Sequence, residues 1–221
     1  MSWVKDRAAK LFRLVGQDIE SIEPRMHWDE DLGVGWYPIA SEDEYSDDYF
    51  DKYSKMEATV VGSKLNDFRT RFVDMHYDGH LVDIGVGSGT FIKRHGESRS
   101  SGYDVGSKSI QWLKDNDFWL DPYSCSSVSA ISCWDSFEHI RDYRPLVRLV
   151  SDWVFMSIPI FKDKFHAENS KHFRPTEHWW YFTHDSLISM MQLEGFKMVS
   201  YSVCEQVHGR EDIVSYAFMR V

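Results

Sequence analysis

Three groups of residues have the types and spacing to do chemistry. The first is LVDIGVGSGTF, Leu81 to Phe91, where a short apolar strand carrying Asp83 runs into Gly85, Gly87 and Gly89 and then into a helix start at Thr90-Phe91-Ile92. Glycines at this spacing let the chain reverse tightly and let a ligand approach backbone N–H groups that a Cβ would shield. The helix behind adds a positive dipole end suited to a carboxylate or phosphate, so the segment reads as a cofactor-binding turn. With threonine at position 90 the third glycine of a dinucleotide fingerprint is absent, and no Gly-Lys-Ser/Thr follows to make a nucleotide P-loop. The second group is Asp135-Ser136-Phe137-Glu138-His139, which closes an apolar stretch. Where a hydroxyl must lose its proton, histidine is the default general base, and His139 stands just past a strand end, where α/β sheets place ligand-contacting loops. The third is an insert, Phe161 to Phe182, with His166, His172, His178, Trp179, Trp180 and Tyr181. A six-residue spacing of histidines matches neither helix nor strand and gives no metal signature. The aromatics read as the apolar underside of a lid over an acceptor pocket, with stacking on a sugar or ring as the alternative.

The elements that position these groups alternate. Strands are predicted near 80–86, 100–105, 129–135, 153–160, 197–203 and 212–220, with a weak one near 119–124, and a helix over Val60 to Met75 leads into the first. Thr183 is a good N-cap, Asp185 lies in the first turn, and Gly195 stops that helix. The last two strands predict an antiparallel hairpin. This pattern predicts an α/β fold, a seven-stranded, doubly wound, mostly parallel sheet with an antiparallel C-terminal hairpin. Ahead of it, Trp3, Val4, Ala8, Leu11, Phe12 and Val15 recur at helical spacing, and Lys5, Arg7, Lys10 and Arg13 make that helix basic enough for a membrane-surface or protein contact. Residues 18–51 lack sustained periodicity and read as turn and loop. The acidic run Glu42 to Asp51 is interleaved with Tyr45, Tyr49, Phe50 and Tyr53. The chain divides into an N-terminal helix and acidic, aromatic cap segment over 1–55 and a core domain over 56–221 with the lid at about 161–182.

The strand and glycine turn resemble motif I of the class I S-adenosylmethionine (SAM) dependent methyltransferases, closest in pattern to the broad glycan and ubiquinone-type group. Asp104, closing Ser100-Ser101-Gly102-Tyr103-Asp104, Asp135 in ISCWDSFEHI, the strand end Ser157-Ile158-Pro159 and the segment EHWWYFTHDSLISMMQLEGF agree with it in order, over roughly residues 45 to 221. The resemblance implies SAM as cofactor and S-adenosylhomocysteine as product. It implies cofactor contacts from Asp83, Gly85, Gly87, Gly89, Asp104 and Asp135, with Asp104 on the ribose hydroxyls, an aromatic N-terminal cap over the cofactor, and acceptor-side roles for Glu138, His139 and His178. Some ubiquinone-pathway and RNA 2′-O methyltransferases hold a divalent metal with an acidic-x-x-Glu-His run, so a metal at Asp135, Glu138 and His139 is the less favoured option. A mixed carboxylate and imidazole set suits Mn²⁺ or Zn²⁺ better than Mg²⁺.

Bulk properties narrow the partners. At 221 residues the chain fits one domain with a real core, and its formal net charge of -10 opposes a backbone grip on nucleic acid. CWDSFEH in place of an Asn/Asp-Pro-Pro-Tyr/Phe loop, and the lack of a Pro-Cys pair, disfavour DNA base methylation. Cys125, Cys133 and Cys204, odd in number and without CxxC spacing, predict reduced thiols in a cytoplasmic protein. No apolar run is long enough to span a bilayer, and charges at Lys5, Asp6 and Arg7 oppose a signal peptide. The expectation is a SAM-dependent methyltransferase acting on a small molecule or saccharide, most simply on oxygen. The alternatives are a non-catalytic SAM-binding regulator or scaffold and a metal-dependent RNA 2′-O-methyltransferase.

Overall fold

The structure, a computed structural model, describes residues 25–38 and 47–221. The basic amphipathic helix expected over 3–15 lies outside the described residues. The main sheet is built from β3 (Leu81–Ile84), β4 (Ser100–Tyr103), β5 (Val128–Trp134), β6 (Val150–Pro159), β8 (Phe196–Ser202) and β9 (Ile213–Arg220). Its order is β4-β3-β5-β6-β9-β8; the first four run parallel, and β9 pairs antiparallel with both β6 and β8. The predicted hairpin is therefore present, and among the described residues the sheet has six strands, without the one expected near 119–124. Trp119 makes only an isolated parallel bridge to Gly102, and the chain then turns into a 3-10 turn at Pro122–Ser124, capped by the Asp121 side chain, which accepts from the Tyr123 N–H. Proline at position 122 lacks the N–H a ladder needs, which ends that strand after one bridge.

Helices cover both faces because the inner strands are apolar on both sides. Leu81, Ala130 and Trp134 face Phe72 and Val73 of α2 (Val60–Asp74) and Phe91 of α3 (Thr90–His95). The alternate residues Val82, Ile84, Ile131 and Cys133 face α5 (Arg144–Leu149) and α7 (His184–Leu193). This period-2 alternation puts Asp83 and Ser132 on the α2 side, where Ser132 Oγ donates to Asp83 Oδ1 at 2.6 Å. Helix α7 starts at the expected Thr183 cap, which forms a reciprocal pair with Ser186, and Gly195 follows its end at φ 86°.

Part of the stretch read as loop over 18–51 is ordered pairing. β1 (His27–Asp29) and β2 (Val34–Trp36) form a hairpin, and β2 pairs antiparallel with β7 (Trp180–Phe182) from the insert. These strands are three residues long, too short for a periodic signal. The small sheet is tied to the large one through a bridge between Ile160 and Phe182. After it, α1 (Asp47–Glu57) brings Tyr53 and Glu57 to Gly87, and α4 (Ser107–Asp115) follows β4. The insert also carries α6 (Lys164–Asn169), and α8 (Cys204–Val207) links β8 to β9.

Candidate active site

A cavity of about 770 Å³ opens at the C-terminal ends of the parallel strands, its walls including Gly85, Asp104, Asp135, His139, Trp179 and Arg210. This lies within the roughly 300–1,000 Å³ range of small-molecule sites. The glycine turn forms one wall. Gly85 and Gly89 have φ of 76°, and a Cβ on Gly85 would stand 2.6 Å from the Ser136 Cβ, one on Gly89 only 2.0 Å from the Trp112 ring. Only glycine fits both the backbone and the approach. Asp83 is buried behind the turn, and burial pushes its carboxyl up to about 8, against the opposing hydrogen bond from Ser132. At the end of β4, Asp104 accepts from the Gly106 N–H at 2.8 Å; its carboxyl is raised by burial, which the backbone donors partly offset.

The loop after β5 enters the cavity through Asp135, in the left-handed region at φ 57°. Its carboxylate is committed: Arg210 grips it through two bonds of 2.7 and 2.8 Å, and Arg69 adds one of 2.9 Å. The same guanidinium groups hold Glu205, which is fully buried and also accepts from Ser157 at 2.7 Å. Burial opposes ionisation of Asp135, but Arg210 and Arg69 outweigh it and hold the carboxyl far below its usual range; Glu205 is lowered in the same way, mainly by Arg69. Arg69 also lies over the Trp134 ring at 5.2 Å. Two charges of each sign thus form one network across α2, the β5 loop, α8 and the β9 approach.

On the opposite wall, Glu138 and His139 sit on a 3-10 turn at Phe137–His139, and the insert delivers His178 to them. Trp179 N donates to the Glu138 carbonyl at 2.9 Å, which registers the insert against the turn. The rings of His139 and His178 meet edge to face with centroids 4.7 Å apart, and His178 Nε2 lies 4.0 Å from Glu138 Oε1. Burial dominates the charges here: it raises the Glu138 carboxyl to about 8, helped by Asp135, lowers His139 to about 4, and with His139 beside it takes His178 well below its usual value. His166 and His172 do not join the group. His166 accepts from the Lys162 N–H and His172 bonds the Glu211 carbonyl. Of the insert aromatics, Trp180 and Tyr181 are buried packing, while Trp179 faces the cavity with Arg141 over its ring at 5.1 Å.

The family model described as a methyltransferase domain matches residues 56–201, more than half of the chain. The chain belongs to that methyltransferase family. Among solved structures, this methyltransferase is similar to a SAM-dependent methyltransferase of Thermotoga maritima, with TM-score 0.57 and 12% identity over 79% of this chain and 97% of that one. It is likewise similar to the magnesium protoporphyrin IX methyltransferase of Synechocystis PCC 6803 with bound S-adenosylhomocysteine, with TM-score 0.54 and 12% identity over 79% and 94% of the two chains. The cyclase SpnF has TM-score 0.51 and 11% identity over 71% of this chain and 80% of its own. No curated protein matches.

The fold is that of class I, the enzyme is a SAM-dependent methyltransferase, and SAM is its cofactor. The cavity suits such a ligand. Trp134 Nε1 and Asn66 Oδ1 are buried without a hydrogen-bond partner among the described residues, and both side chains line it, offering one donor and one acceptor. No described helix is long and apolar enough to cross a membrane. Arg69, Arg210 and Glu205 were not expected from the sequence. Arg69 carries a signal in retrospect, since it lies on the face of α2 that buries Leu65, Phe72 and Val73, where a cation needs a buried partner. Glu205 and Arg210 show no local pattern that distinguishes them.

Proposed function

We propose that this methyltransferase places the methyl of SAM on a hydroxyl of a small molecule or saccharide. The observation that carries this reading is the facing of two walls across one cavity: the glycine turn with Asp104 on one side, and His139, backed by Glu138 and His178, on the other. SAM supplies a methyl group already activated on a sulfonium. The chain's own part is then to hold the two reactants in line, exclude water and take one proton. Orientation contributes on the order of 7–11 kcal/mol to such displacements in favourable cases.

In this reading Asp83, Gly85, Gly87, Gly89 and Asp104 hold the cofactor, and Asp135 fixes the β5 loop through Arg210 and Arg69. His139, lining the cavity, receives the proton of the acceptor hydroxyl. Glu138 and His178, both buried, orient it from behind. Tyr53 of α1 caps the cofactor over Gly87, and the insert closes the acceptor side. The small sheet of β1, β2 and β7 joins residues 27–36 to the lid, so these two segments act as one cover.

The test is calorimetry with SAM and S-adenosylhomocysteine beside a radiolabel-transfer screen of hydroxylated acceptors, on the parent chain and the His139→Ala and His178→Ala variants. The expectation is retained cofactor affinity with turnover reduced by about 10²–10⁴, the usual range for removing a general base. Unchanged turnover in both variants overturns the assignment. Tight SAM binding with no product from any hydroxylated acceptor overturns the assignment of the acceptor as a hydroxyl.

A further inference from the structure

We infer that Glu138, His139 and His178 form a binding site for one divalent transition-metal ion, an inference that rests on the acceptor-side role proposed for this cluster. Each residue offers a ligand atom, and the three atoms lie within 4.8 Å of one another. Ligand atoms bound at about 2.0–2.2 Å from a metal stand roughly 3–3.5 Å apart, so small side-chain rotations close the group around an ion.

Two independent orphans point to a ligand at this place. Glu138 Oε2 and His178 Nδ1 have no hydrogen-bond partner among the described residues, although the side chains of Glu138 and His178 are only 2% and 5% exposed. A carboxylate and an imidazole are costly to bury with polar atoms unsatisfied, and a cation bound through those atoms would remove that cost. The backbone that carries them is already fixed. Glu138 and His139 share one 3-10 turn, Trp179 N bonds the Glu138 carbonyl, and His178 N donates to the Arg174 carbonyl at 2.8 Å. Arg174, the nearby cation on the insert, pairs with Glu177 at 3.0 Å.

The chemistry of the donors selects the ion. Asp135, the acidic residue nearest in sequence, is not available, because both of its oxygens accept from Arg210 and one also from Arg69. What remains is one carboxylate and two imidazoles, a set that suits Zn²⁺, Mn²⁺ or Fe²⁺ and not the all-oxygen preference of Mg²⁺ or Ca²⁺. His139 lines the cavity, so the site borders the acceptor wall. With His139 as a ligand, an ion there would itself polarise the acceptor oxygen as a Lewis acid, and the hydroxyl proton would leave to solvent water in place of His139.

The experiment uses the full chain without cofactor or acceptor. The purified protein is assayed for metal by plasma mass spectrometry, stripped with chelator, and titrated with ZnCl₂ and MnCl₂; CoCl₂ serves as a spectroscopic probe. The parent and a His172→Ala control are expected to bind one equivalent, with visible d–d bands from Co²⁺. Glu138→Gln and His178→Ala are expected to lose at least about tenfold in affinity, the lower bound even for residues that only support a ligand. Retained S-adenosylhomocysteine binding certifies that each variant is folded, and either variant alone suffices. Absence of saturable binding in the parent, or equal binding in folded variants, overturns the site. No metal binding together with methyl transfer would remove this inference and leave the proposed function standing; bound metal without any transfer would do the reverse.

Discussion

Replacing Arg69 with methionine removes one of two cations from a group that also holds two carboxylates. Three hydrogen bonds are lost, at 2.9 and 3.1 Å to Glu205 and 2.9 Å to Asp135, and Arg210 is left alone against both. One negative charge then stays uncompensated beside a fully buried Glu205. Breaking a buried ion pair from one side costs about 3–5 kcal/mol, which for a chain of this size lowers the melting temperature by about 6–20 °C. The pH dependence has a definite sign. In the parent, Asp135 and Glu205 are held below their unfolded values, so their contribution is full above an unfolded pKa of about 4 and fades as pH falls below it. In the variant the odd carboxylate is pushed upward and takes a proton, so the deficit is largest at pH 8 and shrinks toward pH 5. Urea denaturation at both pH values measures it. The double variant Arg69→Met with Glu205→Leu leaves the two-bond pair of Asp135 and Arg210 in charge balance and is expected to recover more than half of the loss. A deficit below about 1 kcal/mol in the single variant, or no recovery in the double, refutes the idea that charge balance within this network carries the stability.

Three further outcomes are expected. Gly89→Ala drives a Cβ to 2.0 Å from the Trp112 ring at a φ of 76°, so it is expected to cost about 1–3 kcal/mol of stability and to weaken SAM binding; an unchanged melt and Kd would show that the turn is more pliant than its packing. Asp104→Ala removes an acceptor expected to hold the cofactor hydroxyls. A charged hydrogen bond is worth about 1.5–3 kcal/mol, so SAM affinity should fall about 10- to 150-fold by calorimetry, and a change below threefold would rule out that contact. Asp83, with its carboxyl pushed up to about 8 by burial, binds a proton in the folded state that the unfolded chain has lost above about pH 4. Stability of the cofactor-free protein should therefore decline between about pH 4 and 8, and Asp83→Asn should flatten that part of the curve; identical pH profiles would count against a buried neutral carboxyl.

Much of the scaffold was legible because its signals are local. The apolar runs over Leu81–Ile84 and Val154–Ile158, the Thr183 cap and the glycine turn each declare an element within a few residues. The strand near 119–124 was misread because its apolar residues look extended, while Pro122 and the Asp121 cap favour a turn. The hairpin at 27–36 was missed because three-residue strands gain their stability from the distant β7. The site divides the same way. Glu138 and His139 are neighbours in sequence, and His178 stood out by motif, but their meeting depends on how the insert folds back. The ion network is the least legible part, since Arg69, Asp135, Glu205 and Arg210 come from three widely separated stretches and acquire meaning only as mutual neutralisers.

The pairing of β2 with β7 also sets an order of assembly. β7 brings Trp179 and His178 to the acceptor wall, yet its ladder partners, Val34 to Trp36, are made long before it and ahead of every strand of the main sheet. Those early residues have only the short β1 hairpin as a partner, and their second edge stays open until the insert has emerged and β6 is in place to anchor it through the bridge from Ile160 to Phe182. The glycine turn and its helices, by contrast, close on neighbours near in sequence. The half of the cavity facing the cofactor can thus form first, and the half facing the acceptor is sealed last, by joining the two most distant parts of the chain that meet there. A chain cut after β2, or a destabilised hairpin, would keep a place for SAM while losing the wall that decides what is methylated.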